Sequence, residues 1–130
     1  LKRKQLSSLY DSLLNEDVFS KPIFLEIANK NYSYYPIILK NEVVLKSCVK
    51  ELESQQIFPR RYFYPSLATS LNYVEVSKEL PIVDDVSKRI LCLPLYYDLE
   101  EKDVLKITDI LNNTINNTIN KTRKKLKECH

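Results

Sequence analysis

The chain of 130 residues contains no glycine. Average usage is about 7%, so roughly nine would be expected. Glycine enters left-handed backbone without steric cost and lets backbone amides close on a phosphate. Its absence excludes the phosphate-binding loop of nucleotide hydrolases and the glycine-rich dinucleotide fingerprint.

Hydrophobic residues make up 44% and charged residues 28% of the chain. These are globular values, and a chain of this length buries roughly two-thirds of its unfolded surface. One domain over residues 1–130 is expected, with 112–130 as a frayed polar and basic helix end. No run of about 18 apolar residues occurs, so no transmembrane helix is expected. Gln5, Ser7, Ser8 and Asp11 interrupt any apolar stretch near the start, so no signal peptide is expected either. Methionine is absent and the chain begins at Leu1, the pattern expected of a processed chain or a fragment.

The net charge of +3 is small, but its distribution is uneven. Lys2, Arg3 and Lys4 contribute +3, and residues 121–130 contribute +4, leaving −4 for the body. A basic tail suits nucleic acid or acidic lipid, but a solvated helix end explains it as well, so neither a nucleic acid nor a membrane partner is expected. The three cysteines, Cys48, Cys92 and Cys129, are widely spaced without a C-x-x-C pair, and the single histidine is His130. That pattern fits free thiols in a reducing cytoplasm rather than a metal site or a disulfide framework. Glycosylation sequons at Asn31, Asn112, Asn116 and Asn120 are discounted for the same reason.

Hydrophobic periodicity outlines the elements. Leu6, Leu9, Tyr10, Leu13 and Leu14 form one helical face over residues 1–15. Residues 23–28 read as a strand, 29–31 as a turn and 34–39 as a second strand, together a hairpin. Pro36 argues for an edge or a bulge. Asn41 is a candidate N-cap for a helix near 42–55 with Val44, Leu45, Cys48, Val49 and Leu52 inward. Residues 57–64 read as extended, 66–80 as loop and 82–91 as a short helix with Ile82, Val83, Val86, Ile90 and Leu91 on one face. Residues 91–95 form an apolar run that Pro94 keeps from being a helix interior, a short strand or an extended buried segment. Asp98 with Glu101 suggests a capping box for a last helix from about Glu100, with Val104, Ile107, Leu111, Ile115 and Ile119 inward and Lys106, Asp109 and Asn113 outward. The order predicts an α+β fold, a small mostly antiparallel sheet with helices on one face.

The densest chemistry lies at Ile57-Phe-Pro-Arg-Arg-Tyr-Phe-Tyr-Pro65. If residues 60–64 are extended, Arg60, Tyr62 and Tyr64 share one side and Arg61 and Phe63 the other. A forked guanidinium among phenols suits an anionic, hydroxyl-rich ligand; the same pattern also describes a strand with aromatics inside and arginines in solvent. Tyr96-Tyr97 reads as packing between the last helix and the sheet. Asp84-Asp85 point apart on their helix and do not make an acid–base pair.

Residues 56–67, QIFPRRYFYPSL, resemble the C-terminal domain of the DegT-type nucleotide-sugar aminotransferases, fold-type I enzymes dependent on pyridoxal phosphate (PLP). The family pattern is Gly-Ile-x-x-Arg-x-Tyr-x-Tyr-Pro. Residues 80–111 and the opening helix with its Tyr10-Asp11 pair resemble the same family in order and spacing. The resemblance implies the small C-terminal domain of a larger enzyme that moves an amino group onto a nucleotide-linked keto-sugar, often as a homodimer. It implies PLP in the parent enzyme, with the Schiff-base lysine in a large N-terminal domain that this chain lacks. Arg60, Tyr62 and Tyr64 match the motif positions, which implies a substrate-side role. No catalytic, cofactor-binding or metal-binding residue is expected in this chain. The family's Pro-Leu-His is replaced by Ser66-Leu67-Ala68. The alternative is a non-catalytic binding or regulatory module derived from that family.

Overall fold

The computed structural model describes residues 1–17, 19–23, 25, 29–62, 64–67 and 80–129. Along them run α1 (Lys2–Leu13), β1 (Phe19–Ser20), β2 (Tyr35–Leu39), α2 (Glu42–Ser54), α3 (Pro81–Arg89), β3 (Ile90–Leu93) and α4 (Glu101–Glu128). The sheet order is β1-β2-β3 and both pairings are antiparallel. The α+β architecture matches the expectation from the sequence.

Pairing fixes which residues share a face of the sheet. Tyr35 opposes Leu93 and Ile37 opposes Leu91, and all four belong to the buried core. Pro36 opposes Cys92 and Ile38 opposes Ile90 on the other face. The core side is closed by α1, α2 and α4, which contribute Leu6, Tyr10, Leu45, Cys48, Leu52, Val104, Ile107, Leu111 and Ile115. Burial pushes the Cys48 thiol up to about 12, so it behaves as a small apolar side chain.

Pro36 lies in the central strand rather than at an edge. Cys92 spends its own N–H and carbonyl on Arg60, at 2.8 and 3.0 Å, so the Pro36–Cys92 pair is one that exchanges no backbone bonds. Pro36 therefore turns its missing donor toward β1, and β1 reaches only Ile38 and Leu39. The predicted hairpin is replaced. The partner of β2 on that side is Phe19–Ser20, paired with Leu39 and Ile38. Pro22 follows closely and cannot donate to a ladder. Of the predicted strand 23–28, Ile23 and Leu25 are exposed and outside any strand, and the remainder lies outside the described residues.

α2 begins as expected, with the Asn41 side chain accepting from the Val44 N–H at 2.9 Å. Its other end exposes a consequence of having no glycine. Gln56 N–H donates to Glu53 O and Ile57 N–H to Leu52 O, both at 3.0 Å, the two bonds of a Schellman ending. That ending needs a left-handed residue, and Gln56 supplies it at φ 63°. Gln56 occupies the glycine position of the motif quoted above.

α4 begins at Glu101, beside its expected start near Glu100, but its cap lies two residues beyond the expected Asp98–Glu101 box. The box is formed by Glu100 and Asp103, and the Asp103 carboxylate accepts from the Glu100 N–H at 3.1 Å. This register buries Leu99 before the cap and Val104 after it, a hydrophobic staple that Asp98 as cap would forgo. Further along, Thr114, Thr118 and Thr122 each donate to the carbonyl four residues back, at 2.7, 2.8 and 3.0 Å. These bonds satisfy the hydroxyls along a stretch of poor helix propensity, and the helix runs to Glu128. α3 falls near its expected place, but Ile82 and Val83 are exposed and the residue it buries is Ser87. The predicted loop is described only at Ser66, Leu67 and Leu80; residues 68–79 lie outside the described residues.

Two tyrosines tie α1 to the sheet. The Tyr10 and Tyr35 rings stack with centroids 4.7 Å apart. Tyr10 donates to Pro94 O at 3.0 Å and Tyr35 to Asp11 Oδ1 at 2.7 Å. Burial, and for Tyr35 also the Asp11 carboxylate, raises both phenol pKa values above the ordinary range.

Gln56→Gly is expected to stabilise the chain by about 1 kcal/mol, read as a higher urea midpoint at unchanged slope. A phenol that ionises less readily folded than unfolded keeps its full contribution below about pH 10 and loses it as pH rises further. The urea midpoint is therefore expected to stay flat from about pH 7 to 9 and to fall above about 10. Tyr35→Phe is expected to cost about 1 kcal/mol at neutral pH and to shrink that fall.

Candidate functional site

A cleft of about 640 Å³ opens beside β3. Its floor is the β3 end and the segment Leu93–Pro94–Leu95, continuing to Tyr96. One wall is the segment from Ile57 to Arg60 with Tyr62; the other is the first turns of α4, with Leu99, Asp103, Lys106 and Ile107. Ser33 and Tyr34 close a third side.

The wall is placed by backbone bonds. Arg60 pairs with Cys92 as a one-residue extension of the sheet, which carries Arg60 onto the Cys92 face, away from the helical layer. Its side chain is free to serve the cleft, and the guanidinium carbon stands 5.8 Å from the centre of the Tyr62 ring. Tyr62 in turn meets Tyr34 edge to face, with centroids 5.1 Å apart. Among the described residues, Arg60 and Lys106 are the cations that line the cleft. Asp103 is the acid, already spent on the helix cap. Such a surface offers forked, charge-assisted hydrogen bonds to a phosphate or carboxylate, and phenol faces to a flat ring or a sugar.

The expected trio is split. Arg60 and Tyr62 line the cleft together, but Tyr64 does not. A turn in which the Tyr64 N–H donates to Arg61 O at 3.3 Å breaks the strand alternation. Tyr64 instead receives the Arg61 guanidinium on its ring at 3.8 Å. Arg61 also donates to Lys88 O at 3.2 Å, at the carbonyl end of α3. The two arginines therefore do different work: Arg61 is a strut and Arg60 faces the cleft. Phe63 lies outside the described residues. Asp84 and Asp85 hold separate partners as expected, Ser66 and Arg89.

Three cleft residues escaped the sequence reading. Lys106 was placed on the outward face of the last helix; outward from the core proves to be inward to the cleft. Tyr34 reads as the edge of a strand, and only the fold brings it against Tyr62. In the sequence Tyr96-Tyr97 reads as packing, yet both tyrosines are exposed, and Tyr96 lines the cleft. Burial pushes the Cys92 thiol up to about 11, which removes it as a nucleophile. Among the described residues no group of three or more His, Cys, Asp or Glu could hold a metal ion, and no helix is long and apolar enough to cross a membrane.

Residues 1–112 match the DegT/DnrJ/EryC1/StrS aminotransferase family, and the chain belongs to that family. It is 36% identical over 120 residues to an Escherichia coli dTDP-4-amino-4,6-dideoxy-D-glucose transaminase, a match covering 85% of this chain and 32% of that protein. The fold resembles the aminotransferase TlmJ of Streptoalloteichus hindustanus, with a TM-score of 0.78 at 20% identity, over 89% of this chain and 31% of that one. It also resembles a Bacillus cereus protein designated a PLP-dependent aminotransferase, with a TM-score of 0.72 at 26% identity, over 85% of this chain and 31% of that one. The chain thus spans about a third of the length of these relatives.

The family implies PLP, and the cleft does not fit it. The helix N-terminus that reaches the cleft is closed by its own Glu100 and Asp103 carboxylates, which would repel a cofactor phosphate. No glycine is available to build another amide cradle.

Arg60→Ala is expected to move the unfolding free energy by less than about 0.5 kcal/mol, because an exposed side chain is removed and the backbone pair remains. Arg61→Ala is expected to cost about 1–2 kcal/mol, because it removes both a charge-assisted bond and a ring contact. Equal effects in paired urea titrations would contradict this division of roles.

Proposed function

We propose that this chain is the C-terminal domain of a PLP-dependent aminotransferase that acts on a nucleotide-linked keto-sugar, in a cytoplasmic homodimer. The observation that carries the reading is the exposed Arg60–Tyr62 wall, set on the sheet edge by the backbone pair with Cys92. In this reading Arg60 grips an anionic group of the nucleotide sugar and Tyr62 packs on a ring of it. The transaminase relatives, of which the chain covers 32% and 22%, support a parent enzyme with a further, larger part.

The Schiff-base lysine and the cofactor's phosphate site then belong to that larger part. The cofactor supplies electron withdrawal from the amino acid; the residues here bind and orient the acceptor sugar. Alone, the chain is expected to show no transamination and no borohydride-trapped labelling with added PLP.

In the parent enzyme, Arg60→Ala is expected to lower kcat/KM for a nucleotide-linked keto-sugar by about 10- to 100-fold, the range for losing a charge-assisted hydrogen bond. Steady-state kinetics on the purified parent, with thermal unfolding as a folding control, measure it. Unchanged kcat/KM, or stoichiometric PLP labelling and turnover by the isolated chain, would overturn the reading.

A further inference from the structure

The family match ends at residue 112, but α4 continues to Glu128. Ile119 is the last residue of α4 packed against the core, and Asn120–Cys129 are all exposed. This overhang carries Lys121, Arg123, Lys124, Lys125 and Lys127 against Glu128 alone. None of the five cations forms an ion pair among the described residues. Four pairs at helical spacing, Lys121 with Lys124 and Lys125, Lys124 with Lys127, and Arg123 with Lys127, are like-charged and repel, and only Glu128, beside Lys124 and Lys125, offsets them. The helix dipole accounts for cations in the last turn, but Lys121 and Arg123 lie a turn earlier, where its pull has faded.

The cations are not spread evenly. At about 100° per residue, Ile119, Thr122, Leu126 and Cys129 fall within an arc of roughly 80°. Arg123 and Lys125 flank that arc, and the other cations cover the remaining surface. Leu126 is 62% exposed. The basic residues at the start of α1 take no part in this patch. The Lys2 ammonium stands 5.2 Å from the Tyr97 ring centre, near the other end of α4, whereas Leu13 O accepts from Asn112.

We propose that the overhang of α4 docks on the surface of a bilayer that contains anionic lipid. Such a surface neutralises the repelling cations together and takes one leucine between long side chains whose charges reach the headgroups. A partner helix fits less well, because the stripe is narrow and interrupted by Thr122, which leaves few knobs for a seam. A nucleic acid would leave Leu126 unused.

The test is co-sedimentation of the chain with phosphatidylcholine vesicles, with and without about 30% phosphatidylglycerol. Binding is expected only to the anionic vesicles, and it is expected to weaken at least about tenfold between roughly 50 and 500 mM NaCl. The triple variant Lys121→Gln, Arg123→Gln, Lys125→Gln is expected to bind at least about tenfold more weakly, with an unchanged circular dichroism spectrum. Leu126→Ser is expected to weaken vesicle binding about three- to tenfold and to leave the salt dependence unchanged. Absence of binding, equal binding to neutral vesicles, or full binding by the triple variant would overturn the proposal. So would a short DNA duplex that binds more tightly than the vesicles with no effect of Leu126→Ser, which would assign the patch to nucleic acid.

Discussion

The row Val104, Ile107, Leu111 and Ile115 on α4 is the seam on which the remainder of the helical layer closes. All four are essentially inaccessible, and α1 and α2 both pack against this helix. Each buried aliphatic chain of this size contributes roughly 1.5–3 kcal/mol. The seam also sets direction. Asn112 donates to Leu13 O at the end of α1, while Lys2 lies against Tyr97 just before α4 begins, so the two helices run the same way. The stacked Tyr10 and Tyr35 then join this layer to the sheet.

The cleft follows from that arrangement at one remove. β3 is held on one side by β2, which leaves its other side to accept a single residue, Arg60. One residue of pairing is enough to fix a backbone position while leaving the side chain without a structural duty. The neighbouring Arg61 carries that duty by bracing α3 and Tyr64. Adjacent, chemically identical residues are thereby divided between bracing the scaffold and facing the cleft. The carboxylate cap at the start of α4 closes the nearby helix end against anions, so among the described residues the positive character of the cleft comes from Arg60 and Lys106.

The absence of glycine shapes details more than architecture. The left-handed end of α2 is made by Gln56, which holds the Schellman bonds at a steric cost that a glycine would not incur. The segment rich in Asn and Thr remains helical because Thr114, Thr118 and Thr122 hand their hydroxyls to the preceding turn. Beyond Ile119 the helix separates from the body, and its character changes from core-facing to basic and exposed.

Local chemistry was enough to locate the cap at Asn41 and the inward faces of α2 and α4. Each of these is decided by neighbours within a few residues or by a period of 3.6. The true partner of β2, the register of the α4 cap, the exposure of the α3 face and the parting of Tyr64 from Tyr62 were decided only by the folded chain. In each case residues distant in sequence compete for the same neighbour. Phe19 took the place beside Leu39, Leu99 claimed a buried site before the helix cap, and a turn at Arg61 ended the alternation that an isolated strand would have kept. Lys106 and Tyr34 belong to the cleft for the same reason: a wall built from three separate segments has no period to read.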